Sequence, residues 1–402
     1  MKTLIALDKF KDSMSAKIAC AAAADAIHEV HPDWESKGAP LTDGGDGFCE
    51  ILTEAMGGRF QQLQVLGPRF REKSALLGFV KLEWLPRAAL ELLKLPPEGE
   101  LAIVEMAQAS GLETLRAEER NCLHTASFGT GELLAYAIEQ GAAAILLGIG
   151  GSATSDLGLG ALEAMGLQFR DEADRPLLHV TPASWKRIHH CSGSLQHPGK
   201  ASLPPIRIAC DVRNPLLGEE GAAAVYGPQK GLDPDMLPTF EKEGGRLARM
   251  LLRHFKKGES LIHYPGAGAA GGIGFGLMAA ADAALIPGFD LVTQWLQLEK
   301  RVAESDVIIT GEGKFDASSL QGKGPFAIMG MAGAHGDKVL HLIAGEIAIE
   351  KELDKMKSRF KQFTASSIAH PEWTLEKNLK CGPERLRETL MNLFDERNPG
   401  EE

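Results

Sequence analysis

The sequence predicts two α/β domains, one Rossmann-like with a parallel sheet and the second inserted into it. Three observations predict this. The chain has 402 residues, too many for one small core, so two domains are the natural expectation. Strand-like and helix-like runs alternate near both ends, which is the pattern of a parallel sheet with crossover helices. Glycine-rich turns recur where strand-like runs end, and glycine clusters mark backbone that takes positive φ or approaches something closely.

Taken in order, "TLIALD" reads as a buried strand ending at Asp8, and "AKIACAAAADAIHEV" as a helix with Ser15 as its N-cap. The pieces "QQLQVLGPRFREKSALLGFV" and "GELAIVEMA" are strand-like, with few helices between them. "GELLAYAIEQG" is a helix stopped by Gly141, followed by the strand "AAAILLGIG"; which sheet that unit joins is open. Prolines and histidines make 171–205 loop-rich. "ESDVIITGEGKFD" is a strand running into a polar glycine turn, "GPFAIMGMAGAHG" a helix and "KVLHLIAGE" the next strand, together one βαβ unit. Seams at "MGG" (56–58) and "IPG" (286–288) divide the chain into a discontinuous domain, 1–57 with 286–402, and an inserted domain, 58–285. The acidic tail "DERNPGEE" is expected to fray.

Composition narrows the function. Apolar content of 44% with 24% charged residues is ordinary for a globular protein. A formal charge of −11 argues against a nucleic-acid partner. The N-terminus has too short an apolar run for a signal peptide, and no apolar stretch is long enough to span a membrane. Six scattered cysteines without a C-x-x-C pair suit reduced thiols and a cytoplasmic location.

The glycine turns "LTDGGDGF", "GIGGSATSD", "PGAGAAGGIGFG" and "TGEGKFD" each carry an Asp, a Glu or a hydroxyl or lie beside one. A turn leading into a helix lines up backbone N–H groups that favour anions. Near-matches to other motifs fail on context. "GAGAAG" fits the dinucleotide fingerprint, yet only the short "SLIHY" precedes it and Asp290 follows a Pro–Gly pair. "GGSAT" has Thr154 in place of the last glycine of a nucleophile elbow. "LQGKGP" lacks the hydroxyl and upstream glycine of a phosphate-binding P-loop. Two rival functions stay open for these turns. One is a nicotinamide-dependent oxidoreductase using "GAGAAG", the other a catalytically silent small-metabolite sensor.

Asp8, Lys11, Asp43, Asp46, Asp211 and Asp316 fall at or just beyond predicted strand ends. Ligands of open α/β sheets bind there. Carboxylates in those places, with Lys11, Arg213, Lys230, Lys314 and Lys323 at hand, suit phosphate and Mg²⁺ chemistry.

Nearly the whole chain resembles the bacterial type-1 glycerate kinases. The matching blocks are "ALDKFKDSMSA" (Asp8, Phe10, Lys11, Ser13), "TDGGDG" (Asp43, Gly44, Gly45, Gly47), "GTGELL" with "GIGGSATSD" (Gly150, Gly151, Ser152, Thr154, Asp156) and "ACDVRNPLLGEEGAAAVYGPQKG" (Asp211, Asn214, Pro215, Gln229, Lys230). "PGAGAAGGIGFG" and "TGEGKFDASSLQGKGP" (Glu312, Asp316, Gln321, Lys323) complete the set. The chain departs from the family pattern at Lys9 (for serine), Asp12 (for glycine), Asp46 (for Glu), Ser155 (for Asn) and Leu157 (for glycine). It also adds "KLEWLPRAALELLKLPPEGE" before "IVEMAQASGL".

The resemblance implies phosphoryl transfer from ATP to D-glycerate, with 2-phospho-D-glycerate as the expected product, in glycerate, glyoxylate or sugar-acid catabolism. It also implies an active site in the cleft between the domains. The expected catalytic residues are Asp211, Asp316, Lys11, Asp43 and Lys323, with Asp211 or Asp316 taking or orienting the hydroxyl proton. Gly150, Gly151, Ser152, Thr154, Asp156, Gly268 and Gly271 are the expected nucleotide contacts, and Asp8, Ser13, Asn214, Glu312 and Gln321 the substrate contacts. Asp43 and Asp316 are the expected Mg²⁺ carboxylates. The expected partner is the small-molecule substrate, with a homodimer left open.

Overall fold

The computed structural model describes residues 1–195, 202–322 and 324–395, and the chain divides into two compact units, Met1–Thr42 with Val292–Glu402, and Asp43–Leu291. The division falls earlier than the "MGG" seam and later than the "IPG" seam. The end of the expected frayed tail, 396–402, lies outside the described residues.

The discontinuous unit holds a five-stranded sheet. Its order is Gln362–Ser367, Val339–Ile347, Val307–Phe315, Lys2–Leu7, Glu35–Gly38, and every pair is parallel. The strand order therefore reverses between Lys2–Leu7 and Val307–Phe315. Helix Ala16–Val30 starts as its sequence dictates, with Ser15 Oγ accepting from Ile18 N at 3.3 Å. It packs with helix Gly382–Phe394 in a core that includes Ile5, Leu7, Ala19, Ala23, Ile309 and Leu390.

"TGEGKFD" is not a turn. The strand continues through it to Phe315, because its glycines let neighbours close in. A Cβ at Gly311 would stand 1.6 Å from Ile343 O.

His341, in the middle of the strand Val339–Ile347, is buried and its Nδ1 lies 2.6 Å from Thr364 Oγ1. The Phe394 ring meets it edge-on at 4.9 Å. Burial pushes its pKa down to about 4. The folded chain therefore refuses a proton that the unfolded chain accepts below about pH 6.5. Stability is complete above pH 6.5 and is lost as pH falls toward 4, by about 3 kcal/mol from this group. Thermal melts at pH 7 and pH 5 check this: the drop in Tm is expected to be smaller in His341→Gln, and an equal drop in both proteins rules it out.

The contiguous unit holds six strands in the order Ala284–Ile286, Ile206–Ala209, Ala144–Gly148, Glu100–Glu105, Glu72–Lys81, Arg59–Leu66. The first four are mutually parallel and the last two antiparallel. The 120–150 segment thus belongs to this sheet. Its strands follow in chain order, so the sheet has no reversal point. Helices Phe128–Glu139, Leu159–Ala164, Leu237–His254 and Ile273–Ala281 contribute to its core.

The expected loop-rich stretch is more ordered than its composition suggests. Gln168–Arg170, Pro176–Leu177 and His190–Ser192 form a three-stranded antiparallel sheet. Trp185 is fully buried there, 4.6 Å from the Phe240 ring. Strands of two or three residues are too short to show a period. The added segment "KLEWLPRAALELLKLPPEGE" folds as the helix Arg87–Leu93, whose end Arg207 clasps through Leu93 O (2.6 Å) and Lys94 O (3.0 Å). It lies at the amino ends of the parallel strands, away from the glycine turns.

All six cysteines are free thiols. Among the described residues no helix is long and apolar enough to cross a membrane.

Candidate active site

In the discontinuous unit, the reversal between Lys2–Leu7 and Val307–Phe315 places two loops at the carboxyl ends of adjacent strands. Such a reversal is where open parallel sheets receive ligands. Asp8 follows the first strand: its N–H donates to Gly311 O at 2.8 Å, and its Oδ1 accepts from Lys9 N at 2.6 Å. A Cβ on Gly324 would lie 3.3 Å from Asp8 Oδ2, so the start of helix Gly324–Gly333 stands over this carboxylate. Glu312 lies half-buried near the end of the second strand. Asp316 follows it, with Oδ1 accepting from Ser318 N (2.8 Å) and Ser318 Oγ (2.6 Å). The Ser318 hydroxyl bond, then its amide, holds the Asp316 carboxyl below the usual range, so this acid stays ionised.

Lys11 is exposed in the first loop. Lys314 pairs with Glu346 at 3.2 Å. Ser13 has a structural partner: its Oγ donates to Leu379 O at 2.6 Å, tying the first loop to the C-terminal helices. Gln321 ends the short turn Ser319–Gln321, and Lys323 lies outside the described residues.

In the contiguous unit, three glycine motifs lie on one another. Gly150 N donates to Gly44 O at 2.9 Å, and a Cβ at Gly150 would stand 2.5 Å from Gly45 Cα. Leu157 N donates to Gly271 O at 2.9 Å, and a Cβ at Gly271 would stand 2.1 Å from Thr154 O. Gly268 is seated as tightly on Pro215 O, 2.1 Å from its would-be Cβ. The chain's own backbone therefore fills much of the space the glycines open. Gly268 and Gly271 are buried in that stack, while Gly151 and Asp43 stay exposed.

Asp43 and Asp211 meet at Gly288, where a Cβ would lie 2.4 Å from Asp43 O and 3.2 Å from Asp211 Oδ2. Asp211 accepts from Gly288 N (2.9 Å) and Phe289 N (3.0 Å), holding the start of helix Gly288–Leu296. Asp156 turns inward. It is 0% exposed and accepts from Ser127 N and Oγ (both 2.8 Å), Gly158 N (3.2 Å) and Gly160 N (3.1 Å). That is a structural clamp on two helix starts. Asn214 is likewise engaged, donating to Glu220 O at 2.8 Å and accepting from Tyr226 Oη at 2.7 Å. Ser152 Oγ and Thr154 O both accept from the buried Lys230 ammonium.

Glu105 was not among the sequence candidates. It ends the strand Glu100–Glu105, opposite Gly148, and is 2% exposed. Its Oε2 accepts from Cys49 N at 3.1 Å. Burial pushes its pKa up to about 7, against that amide bond and with repulsion from Asp46. The signal was its placement, an acid closing a strand like Asp8 and Asp211.

Two departures from the family pattern carry a conformational cost. Asp12 has φ +59° and Leu157 φ +60°, both left-handed positions that the family's glycine would take without strain. A side chain there costs about 1 kcal/mol or more. Leu157 recovers part of it in the core, where it is 3% exposed.

"GAGAAG" follows the 3₁₀ segment Glu259–His263 rather than a strand. It therefore lacks the strand–turn–helix context of a dinucleotide site.

A model of the Glycerate kinase family matches residues 3–397. A glycerate kinase of Haemophilus influenzae is 34% identical over 98% of both chains. A glycerate 2-kinase of Escherichia coli K12 is 35% identical over 86% of each. A crystal structure from Salmonella typhimurium LT2, assigned as glycerate kinase 2, superposes with TM-score 0.74 at 34% identity, covering 98% of this chain and 97% of that one.

Proposed function

The chain belongs to the glycerate kinase family, and from that premise we propose that it transfers the terminal phosphate of ATP to D-glycerate, yielding 2-phospho-D-glycerate. The observation that carries the reading is the set of acids at the strand reversal, Asp8, Glu312 and Asp316, with Lys11 beside them in sequence. The free cysteines support a cytoplasmic setting.

Phosphoryl transfer asks the protein mainly for alignment and charge neutralisation. ATP with Mg²⁺ supplies the phosphoryl group and a cation that spreads its developing charge. Mg²⁺ is held by one or two carboxylates together with phosphate oxygens and water, and the donors here fit. Asp316 is held ionised, and Asp43 is exposed. Lys11 and Lys323 neutralise phosphate or the substrate carboxylate. Asp211 or Asp316 orients the glycerate hydroxyl and takes its proton late in the transfer. Gly151, at the exposed tip of the glycine stack, and the buried Ser152 beside it face a ligand oxyanion.

The test is ADP release from ATP–Mg²⁺ with and without D-glycerate. Glycerate-dependent release is expected, and enolase added to the product is expected to consume it, which marks the 2-phosphate. Release that ignores D-glycerate, in folded protein, overturns the substrate; a product inert to enolase overturns the position.

A further inference from the structure

Lys230 ends the turn Pro228–Lys230 and is 2% exposed. Its Nζ donates to Ser152 Oγ at 2.8 Å and to Thr154 O at 2.7 Å. The next residue, Gly231, has φ +78°, and a Cβ there would stand 1.9 Å from Arg120 O. The lysine is thus braced from behind.

An ammonium only donates. Ser152 Oγ is therefore the acceptor of that bond, and its own hydrogen points elsewhere. Two residues on, Thr154 Oγ1 is buried at 0% exposure with no hydrogen-bond partner among the described residues. Buried polar groups are nearly always paired, and this hydroxyl is an exception within the same turn. Burying a cation is costly, and burial pushes Lys230 down to about 8, with Cys122 and Asp156 as the ionisable neighbours that oppose the fall.

We propose that Lys230 is a positioning residue for the turn 150–155: it turns the Ser152 hydroxyl outward to donate to a ligand oxyanion, the carboxylate of the hydroxy acid or a phosphate of the nucleotide. The inference rests on the ligand-facing reading of this turn.

Calorimetric titration of D-glycerate and of ADP–Mg²⁺, separately, into wild type, Lys230→Met and Ser152→Ala tests it. Both variants are expected to weaken the same ligand about tenfold, the value of one charge-assisted hydrogen bond, and to leave the other within about twofold. Which ligand responds identifies the oxyanion as carboxylate or phosphate. Equal weakening of both ligands reduces Lys230 to a structural role and overturns the proposal. So does unchanged affinity in Ser152→Ala, which removes one hydroxyl and keeps the reading available where Lys230→Met does not fold. Wild type that shows glycerate-dependent ADP release while Ser152→Ala binds both ligands normally overturns this inference alone. Wild type that binds neither ligand overturns the proposed function with it.

Discussion

Asp316→Asn and Asp211→Asn are each expected to lower kcat for glycerate-dependent ADP release by about 10²-fold or more, the usual worth of a positioned general base or charge in the transition state. The two differ in what else they disturb. Asn at 316 keeps an acceptor for the Ser318 bonds and loses only the charge, so its melting temperature should hold. At 211, both carboxylate oxygens take backbone N–H groups at the start of helix Gly288–Leu296. An amide there turns one acceptor into a donor facing a donor, costing about 1–3 kcal/mol. Rates for Asp211→Asn must therefore be read beside its melt. The low pKa of Asp316 makes it a weak base and a persistent charge. If it serves the reaction, the charge it contributes is lost at a lower pH than that of an ordinary carboxylate. Near-normal turnover in both variants, with the fold intact, excludes both as catalytic residues.

Asp156→Ala is expected to cost about 3–5 kcal/mol of stability, since several buried donors lose their acceptor at about 1–3 kcal/mol each. The substitution leaves the amides of Ser127, Gly158 and Gly160 facing an empty space in the interior. Those amides begin the helices Phe128–Glu139 and Leu159–Ala164, so both ends loosen together. Urea unfolding gives the number. A variant within about 1 kcal/mol of wild type that has nonetheless lost turnover returns Asp156 to the nucleotide, where sequence had placed it.

The contrast between a turn acid expected at a ligand and a carboxylate enclosed by four donors shows what a sequence carries and what it does not. The N-cap at Ser15, the strand running up to Asp8 and the βαβ unit over 307–347 follow from local propensity and period, and they stand within a residue of where expected. "GIGGSATSD" announced a close approach, and the approach is real. Its partners, Gly45 on one side and Gly271 on the other, lie far away in sequence, and no local rule names them. The same gap separates an acid in a glycine turn from an acid whose oxygens four donors have taken. Asp156 and Asp43 read alike on paper; one is sealed in the interior and the other is open to solvent. Glu105 was missed for the opposite reason, since an apolar strand hid the acid at its end.

The interrupted order of the five-stranded sheet has a consequence for how the protein is made. Lys2–Leu7 is hydrogen-bonded to Glu35–Gly38 on one side and to Val307–Phe315 on the other. The first pair is two strands, which do not hold together alone in water. During synthesis the first forty or so residues therefore wait, unpaired on one edge, while the whole 43–291 segment leaves the ribosome with every strand of its own sheet in hand. At about 5–20 residues per second, that wait lasts on the order of ten seconds or more. A sticky edge, "TLIALD", stays open throughout. Slowed translation within the middle segment should thus lengthen the exposure of the N-terminal strand and the demand for a chaperone, while the middle sheet itself closes on time.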